Sequence, residues 1–294
     1  MFRSFRVPGL LLAATCTALP RLEAQRPQVQ RLLSDHRYEW ITLAADSLKI
    51  HFPVASYADA NRSTLRERVE ASMRAVLDRL SETDYRTTLD LFYVDSRDDM
   101  ANLTGYSVTG YTYFKESAVV VVFNAGWRSL ERHEMAHAVT LGTWPEPHGI
   151  AVVEGVATFV DGECGGYDNG RVLRTILERG ELIPLEVLEG DFRRQNDLIA
   201  YLEAAGVVEF MVSKVGPGVV RQLWNGGIGS SPTLLDTPID KFRADFRDWL
   251  TSAYDPIPGA SWKAIRVGGC GINVRSAGHE WLPPTGSSGG PPEN

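Results

Sequence analysis

His133-Glu134-Met135-Ala136-His137 places two imidazoles four residues apart, with a carboxylate beside the first. On a helix, positions i and i+4 share a face, so His133 and His137 can grip a single cation. Glu134 then lies close enough to that cation to handle a proton on a bound water. Two His and one Glu in this order are the parts of metal-assisted hydrolysis, with zinc the usual ion and the glutamate the general base. A solvated helix face is the plainer reading, and the polar flank Ser129-Leu130-Glu131-Arg132 suits it.

The downstream sequence does not suit it. From Gly149 to Val160 the chain is apolar almost all round, as a buried helix is, and Glu154 is the one charge within that run. A buried carboxylate is costly unless it is paired or coordinates a metal. A zinc held by two His lacks a third protein ligand, so the lone acid and the incomplete metal site explain each other. Gly142 offers a stop for the first helix, and Pro145 and Pro147 forbid its simple continuation. The chain can then turn and send Glu154 back opposite the His pair. His148 and Cys164 remain rival ligands, although His148 sits in a Pro-Glu-Pro-His-Gly turn where a solvent- or substrate-facing role is plainer. The longer pattern HExxHxxGxxH is excluded, because Thr140 and Thr143 stand where its Gly and third His belong.

The elements that must hold these residues fall into two groups. Trp40–Leu43 and Leu48–Phe52 read as strands, and a helix starts near Thr64, which forms a capping box with Glu67. Leu65, Val69, Met73, Val76 and Leu80 make that helix's buried stripe. Leu89–Val94 is a strand, Ser96–Leu103 a short helix, and Tyr111–Phe114 and Ala118–Phe123 two more strands. The four consecutive Val of the last suit either a strand bordering a cleft or a fully buried one. After Trp127 everything reads helical: the two site helices, then Arg171–Arg179, Asp197–Val215, Pro217–Trp224 and Pro238–Leu250. Pro217 and Pro238 sit at first-turn positions. Ile239, Phe242, Phe246 and Trp249 recur at helical spacing and read as core. The expected fold is α+β, with a mixed-sheet lobe over residues 38–126, a mainly helical lobe over 127–258, and the zinc site at their junction. Residues 25–37 are a loose lead-in; 259–294 are irregular, with Pro283–Asn294 disordered.

With these motifs the chain resembles the gluzincin metallopeptidases, the thermolysin-like group with HExxH followed by a distant Glu. It is more closely similar to the bacterial peptidase MA-like proteins. Glu154-Gly155-Val156-Ala157 matches their second element, and Tyr201-Leu202-Glu203-Ala204 leading to Lys214-Val215-Gly216 their third. The resemblance spans roughly residues 38–250 and is specific in the first two motifs. It implies hydrolysis of a peptide or protein substrate, one zinc per chain on His133, His137 and Glu154, and Glu134 as base. It also implies Tyr201 as donor to the oxyanion. Two departures stand out. Thr158 replaces the acid that follows the ligand Glu by four residues, which shifts the role of supporting the ligands to Asp161, and no Trp precedes Glu154.

Composition bounds the setting. Arg3 and Arg6 precede an apolar run from Val7 to Leu19, and Ala24 offers a small residue at a cleavage point, so residues 1–24 read as a secretory signal. Cys16, preceded by Thr15, is a poor lipoprotein site. Removing Arg3, Arg6, Arg21 and Glu23 takes the net charge from −7 to −9 (−7 − 3 + 1), which offers no footprint for nucleic acid or an anionic membrane. Cys164 and Cys270 are left as an even pair, which predicts a disulfide in an exported protein, periplasmic or secreted. Two other functions stay open on sequence: a catalytically silent zinc-stabilised binding domain, and a hydrolase of a non-peptide amide such as a cell-wall component. Oligomeric state is open as well.

Overall fold

The computed structural model describes residues 26–45, 47–272 and 274. The expected signal segment 1–24 and the tail Pro283–Asn294 lie outside them. A five-stranded sheet is built from β1 (Trp40–Ala45), β2 (Leu48–Pro53), β3 (Leu89–Val94), β4 (Gly110–Tyr113) and β5 (Ala118–Val122), in the order β1-β2-β3-β5-β4. The pairs β2–β3 and β3–β5 are parallel, while β1–β2 and β4–β5 are antiparallel, so the sheet is mixed and the fold α+β. A further hairpin joins β6 (Glu163–Cys164) and β7 (Tyr167–Asp168).

Thirteen α-helices are found among the described residues: α1 (Pro27–Leu33), α2 (Tyr57–Ala60), α3 (Arg62–Leu80), α4 (Arg97–Thr104), α5 (Glu131–Thr143), α6 (Ile150–Asp161), α7 (Asn169–Glu178), α8 (Leu185–Gly190), α9 (Asp197–Val215), α10 (Val219–Gly226), α11 (Ser231–Leu234), α12 (Ile239–Ala253) and α13 (Gly259–Gly268). Among the described residues no helix is long and apolar enough to cross a membrane.

The sheet is covered on both faces, and the alternation along its central strands shows how. Leu91, Tyr93, Val119 and Val121 face the main core with the stripe of α3 and with Met135 and Val139 of α5. Phe92, Val94, Val120 and Val122 face a second cluster with Val29 and Leu32 of α1 and Met100 and Leu103 of α4. A strand buried on both sides reads as a continuous apolar run. The valines of β5 are therefore an interior strand, and the edge beyond it belongs to β4, with β1 at the other side of the sheet.

Several expectations need correction, each for a tertiary reason. The lead-in 25–37 contains α1, whose first turn is capped from afar: Glu116 accepts from the N–H of Gln28 (2.9 Å) and Val29 (3.1 Å), and Arg26 pairs with Asp90. Thr64 caps nothing. The short α2, capped by Ser56, runs through Asn61 into α3, so the chain is already helical at Thr64. Gly142 lies inside α5, which ends at Thr143, because Trp144 precedes Pro145 and is held extended (ψ 160°). Pro238 is the N-cap of α12, and Pro217 precedes the N-cap Gly218 of α10. The region after Trp127 holds β6 and β7 as well as helices. The segment from Gly259 onward is not irregular throughout: α13 buries Trp262 and Ile265. The core role of Phe242 and Phe246 is borne out.

Candidate metal centre

Six residues, 144–149, join α5 to α6, and they are pinned. Trp144 packs edge-on against Trp224 of α10 and donates its Nε1–H to Glu82 (3.0 Å). Trp224 donates to the carbonyl of Pro145 (2.7 Å), and the N–H of His148 donates to the carbonyl of Trp224 (2.9 Å). A second clamp acts at the other end: Arg128, just before α5, makes two hydrogen bonds to Asp161 at the end of α6 (2.9 and 2.6 Å). Glu131 in the first turn of α5 is buried against Arg68, Ser72 and Tyr93. With both helices fixed at both ends, Glu154 faces His133 and His137.

The three ligand atoms form a small triangle. The Nε2 atoms of His133 and His137 are 3.1 Å apart, and each is 3.3 Å from Glu154 Oε2. A tetrahedral zinc with bonds of about 2.0–2.1 Å has ligand-to-ligand edges of roughly 3.3–3.4 Å. The residues present therefore fit that ion with shifts of a few tenths of an ångström. No other group of three His, Cys, Asp or Glu among the described residues converges this way. The local field agrees. Burial opposes charge on Glu154, yet His137 and His133 hold its carboxyl well below the usual range. Burial also opposes charge on His133, but its hydrogen bond to Glu154 and the charges of Glu134, Glu154 and Asp161 raise its pKa. Glu154 therefore keeps its negative charge beside the two imidazoles.

Glu134 is buried beside the triangle, under β4. The Thr112 hydroxyl lies 2.6 Å from Glu134 Oε2 and 3.0 Å from its backbone carbonyl, which leaves Oε1 without that donor. Gly110 backs onto the same carboxylate, and a Cβ there would collide with Oε1. A cavity of about 680 Å³ opens over these groups. Gly110, Tyr111 and Thr112 line one side, and Tyr201 of α9 lines another. The Tyr201 ring stacks over His133 at 6.2 Å between centroids. Burial first, and the charge of Glu154 next, push its phenol well above the ordinary value, so the hydroxyl keeps its proton. Gly155 explains how α9 comes so close, since a Cβ there would meet Ala204 at 2.9 Å.

The third wall comes from a segment more than a hundred residues beyond the ligands. Gly268, Gly269, Cys270 and Gly271 line the cavity, held by the disulfide from Cys164 to Cys270, which spans 106 residues. The carbonyl of Cys270 accepts from Gly165 N–H (3.0 Å), and that of Gly271 from Arg128 N–H (2.6 Å). The expected pairing of the two cysteines is present, which removes Cys164 as a metal ligand.

All five residues singled out from the sequence, His133, Glu134, His137, Glu154 and Tyr201, line one cavity. One expectation differs. Asp161 is engaged by Arg128 and forms no hydrogen bond to His133 or His137; its effect on His133 is through charge. His137 Nδ1 is buried with no partner among the described residues. His148 stands apart from the triangle, half exposed, 3.4 Å from Glu189. Gly110, Thr112 and the glycine-rich wall were not anticipated, and only the repeated Gly of 268, 269 and 271 hinted at a backbone lining. No protein-family model matches this chain, and no curated protein sequence does.

Proposed function

We propose that the chain is an exported zinc metallopeptidase of the gluzincin kind, akin to the bacterial peptidase MA-like proteins. The observation that carries this reading is the triangle of 3.1, 3.3 and 3.3 Å edges with a buried carboxylate beside it. His133, His137 and Glu154 would hold the ion, at the junction of the sheet and the helical half. Zinc held there would supply an acidified water, with pKa about 7, and polarise a substrate carbonyl.

The chain's own residues account for the remaining work. Glu134, with Oε2 held by Thr112, takes the water proton at Oε1 and returns it to the leaving nitrogen. Tyr201 donates to the oxygen on which negative charge develops. β4, the edge strand on the cleft side of the sheet, offers backbone N–H and C=O groups to an extended peptide, and Gly110 keeps the approach to Glu134 clear. The disulfide supports export, since such bonds persist in oxidising compartments.

Zinc content and peptide hydrolysis, measured together on the wild type and Glu134→Gln, test the assignment. The expected result is about one zinc per chain in both, with the rate of the variant down by about 10²–10⁴-fold. A wild type that takes up no zinc when supplied with it, or a variant at full rate, sinks the reading.

A further inference from the structure

Glu203 lies two positions beyond Tyr201 on α9, which turns it about 200° away from the metal cleft. It faces a separate cavity of about 270 Å³ between α9, α12 and the chain entering α8. Leu185, Val207, Phe242 and Phe246 give this cavity apolar walls. The carboxylate at its base is 5% exposed, and its one hydrogen bond among the described residues is from Ile183 N–H to Oε2 (2.7 Å). It has no ion pair there. Burial pushes its pKa up to about 8, against the weaker pull of the Ile183 N–H and the charge of Arg247.

Two arginines of α12 line the same cavity. Arg243 is committed to Glu186 and Asp240. Arg247 is exposed and has no such partner among the described residues. The cavity therefore joins a deep acid short of a cation, an apolar wall, and an uncommitted cation nearer solvent. Its volume is just under the roughly 300–1,000 Å³ usual for small-molecule sites, which limits the occupant to something of residue size. A neutral apolar ligand would engage neither the acid nor Arg247, and a simple amine would leave Arg247 unused. We propose that this cavity binds a small apolar amino acid, with its ammonium on Glu203, its carboxylate on Arg247 and its side chain against Phe242 and Phe246.

Calorimetric titration of the purified chain with L-leucine and L-phenylalanine tests this, beside phenethylamine and 3-phenylpropionate, which lack one charge each. The expected result is saturable binding of an amino acid at millimolar concentration or below, with both single-charge analogues at least about tenfold weaker. Glu203→Gln should weaken it by about tenfold or more, and Arg247→Ala by a smaller factor. Val207→Trp, which fills the cavity, should abolish it, while circular dichroism shows each variant folded. No saturable binding, analogues that bind as well as the amino acids, or unchanged binding in Glu203→Gln, which would place the ligand in the metal cleft, each overturn the proposal.

Discussion

Two carboxylates on packed neighbours, Glu154 on α6 with its side chain 14% exposed and Glu203 on α9 at 5%, both meet desolvation and end in opposite states. Desolvation is the largest influence on each. Glu154 has two imidazoles 3.3 Å from one oxygen and stays ionised. Glu203 has a single backbone N–H and a distant arginine, and at pH 7 it is largely protonated. Burial sets the cost of a charge, and the groups within hydrogen-bond reach decide whether the charge is kept. Of the two, only Glu154 is placed to hold a metal.

The strongest way to break the contrast is to neutralise each acid in turn. Glu154→Gln should lose most of its zinc and about 10³-fold or more in peptide hydrolysis, since one of three ligands is gone. Glu203→Gln should keep both within about twofold. Equal losses, read by metal analysis and initial rates, would erase the distinction. Tyr201→Phe sharpens it from the side of α9 facing the cleft: kcat should fall by about 10²–10³-fold with zinc content and KM little changed. Gly110→Ala should cost about 10–10² in kcat with zinc retained, because the new Cβ displaces the Glu134 carboxylate. A normal rate would mean that β4 yields and does not set the position of the base.

Stability against pH gives the smallest effect. The folded chain holds the Glu203 proton up to about pH 8, whereas the unfolded chain releases it near 4.5, the ordinary glutamate value. The stabilisation is complete below about 4.5 and is lost as pH rises toward 8, because the folded state binds the extra proton in that window. Relative to Glu203→Gln, the wild type should lose on the order of 2 kcal/mol between about pH 6 and pH 8 by urea denaturation. Parallel curves for the two proteins would show Glu203 to be charged when folded.

The site's chemical groups were legible because their spacing is local. His133 and His137 share a helix face, and Glu154 is conspicuous as the one charge in an apolar run. The stripe of α3 and the core face of α12 were legible for the same reason. What could not be read depends on partners far along the chain. The first turn of α1 is capped by Glu116, 88 residues away from Gln28. Gly110 and Thr112 matter only because β4, at the sheet edge, lies against Glu134. The alternation of β5 between two cores was hidden by four identical side chains. Asp161 drew attention by its place on α6, but Arg128 claims it, and no periodicity foretells that pairing.

The glycine-rich wall sets when a growing chain can use its cleft. The proposed base and metal-binding groups are all made by residue 154, and Tyr201 follows, but Gly268–Gly271 are synthesised after all of them, and Cys270 among them is bonded to Cys164 across 106 residues. A nascent chain short of Cys270 holds every reactive group and only two sides of its cleft. On the proposed function, the cleft gains its third wall only once this late segment is made and fastened to Cys164, well after the groups that would do the chemistry.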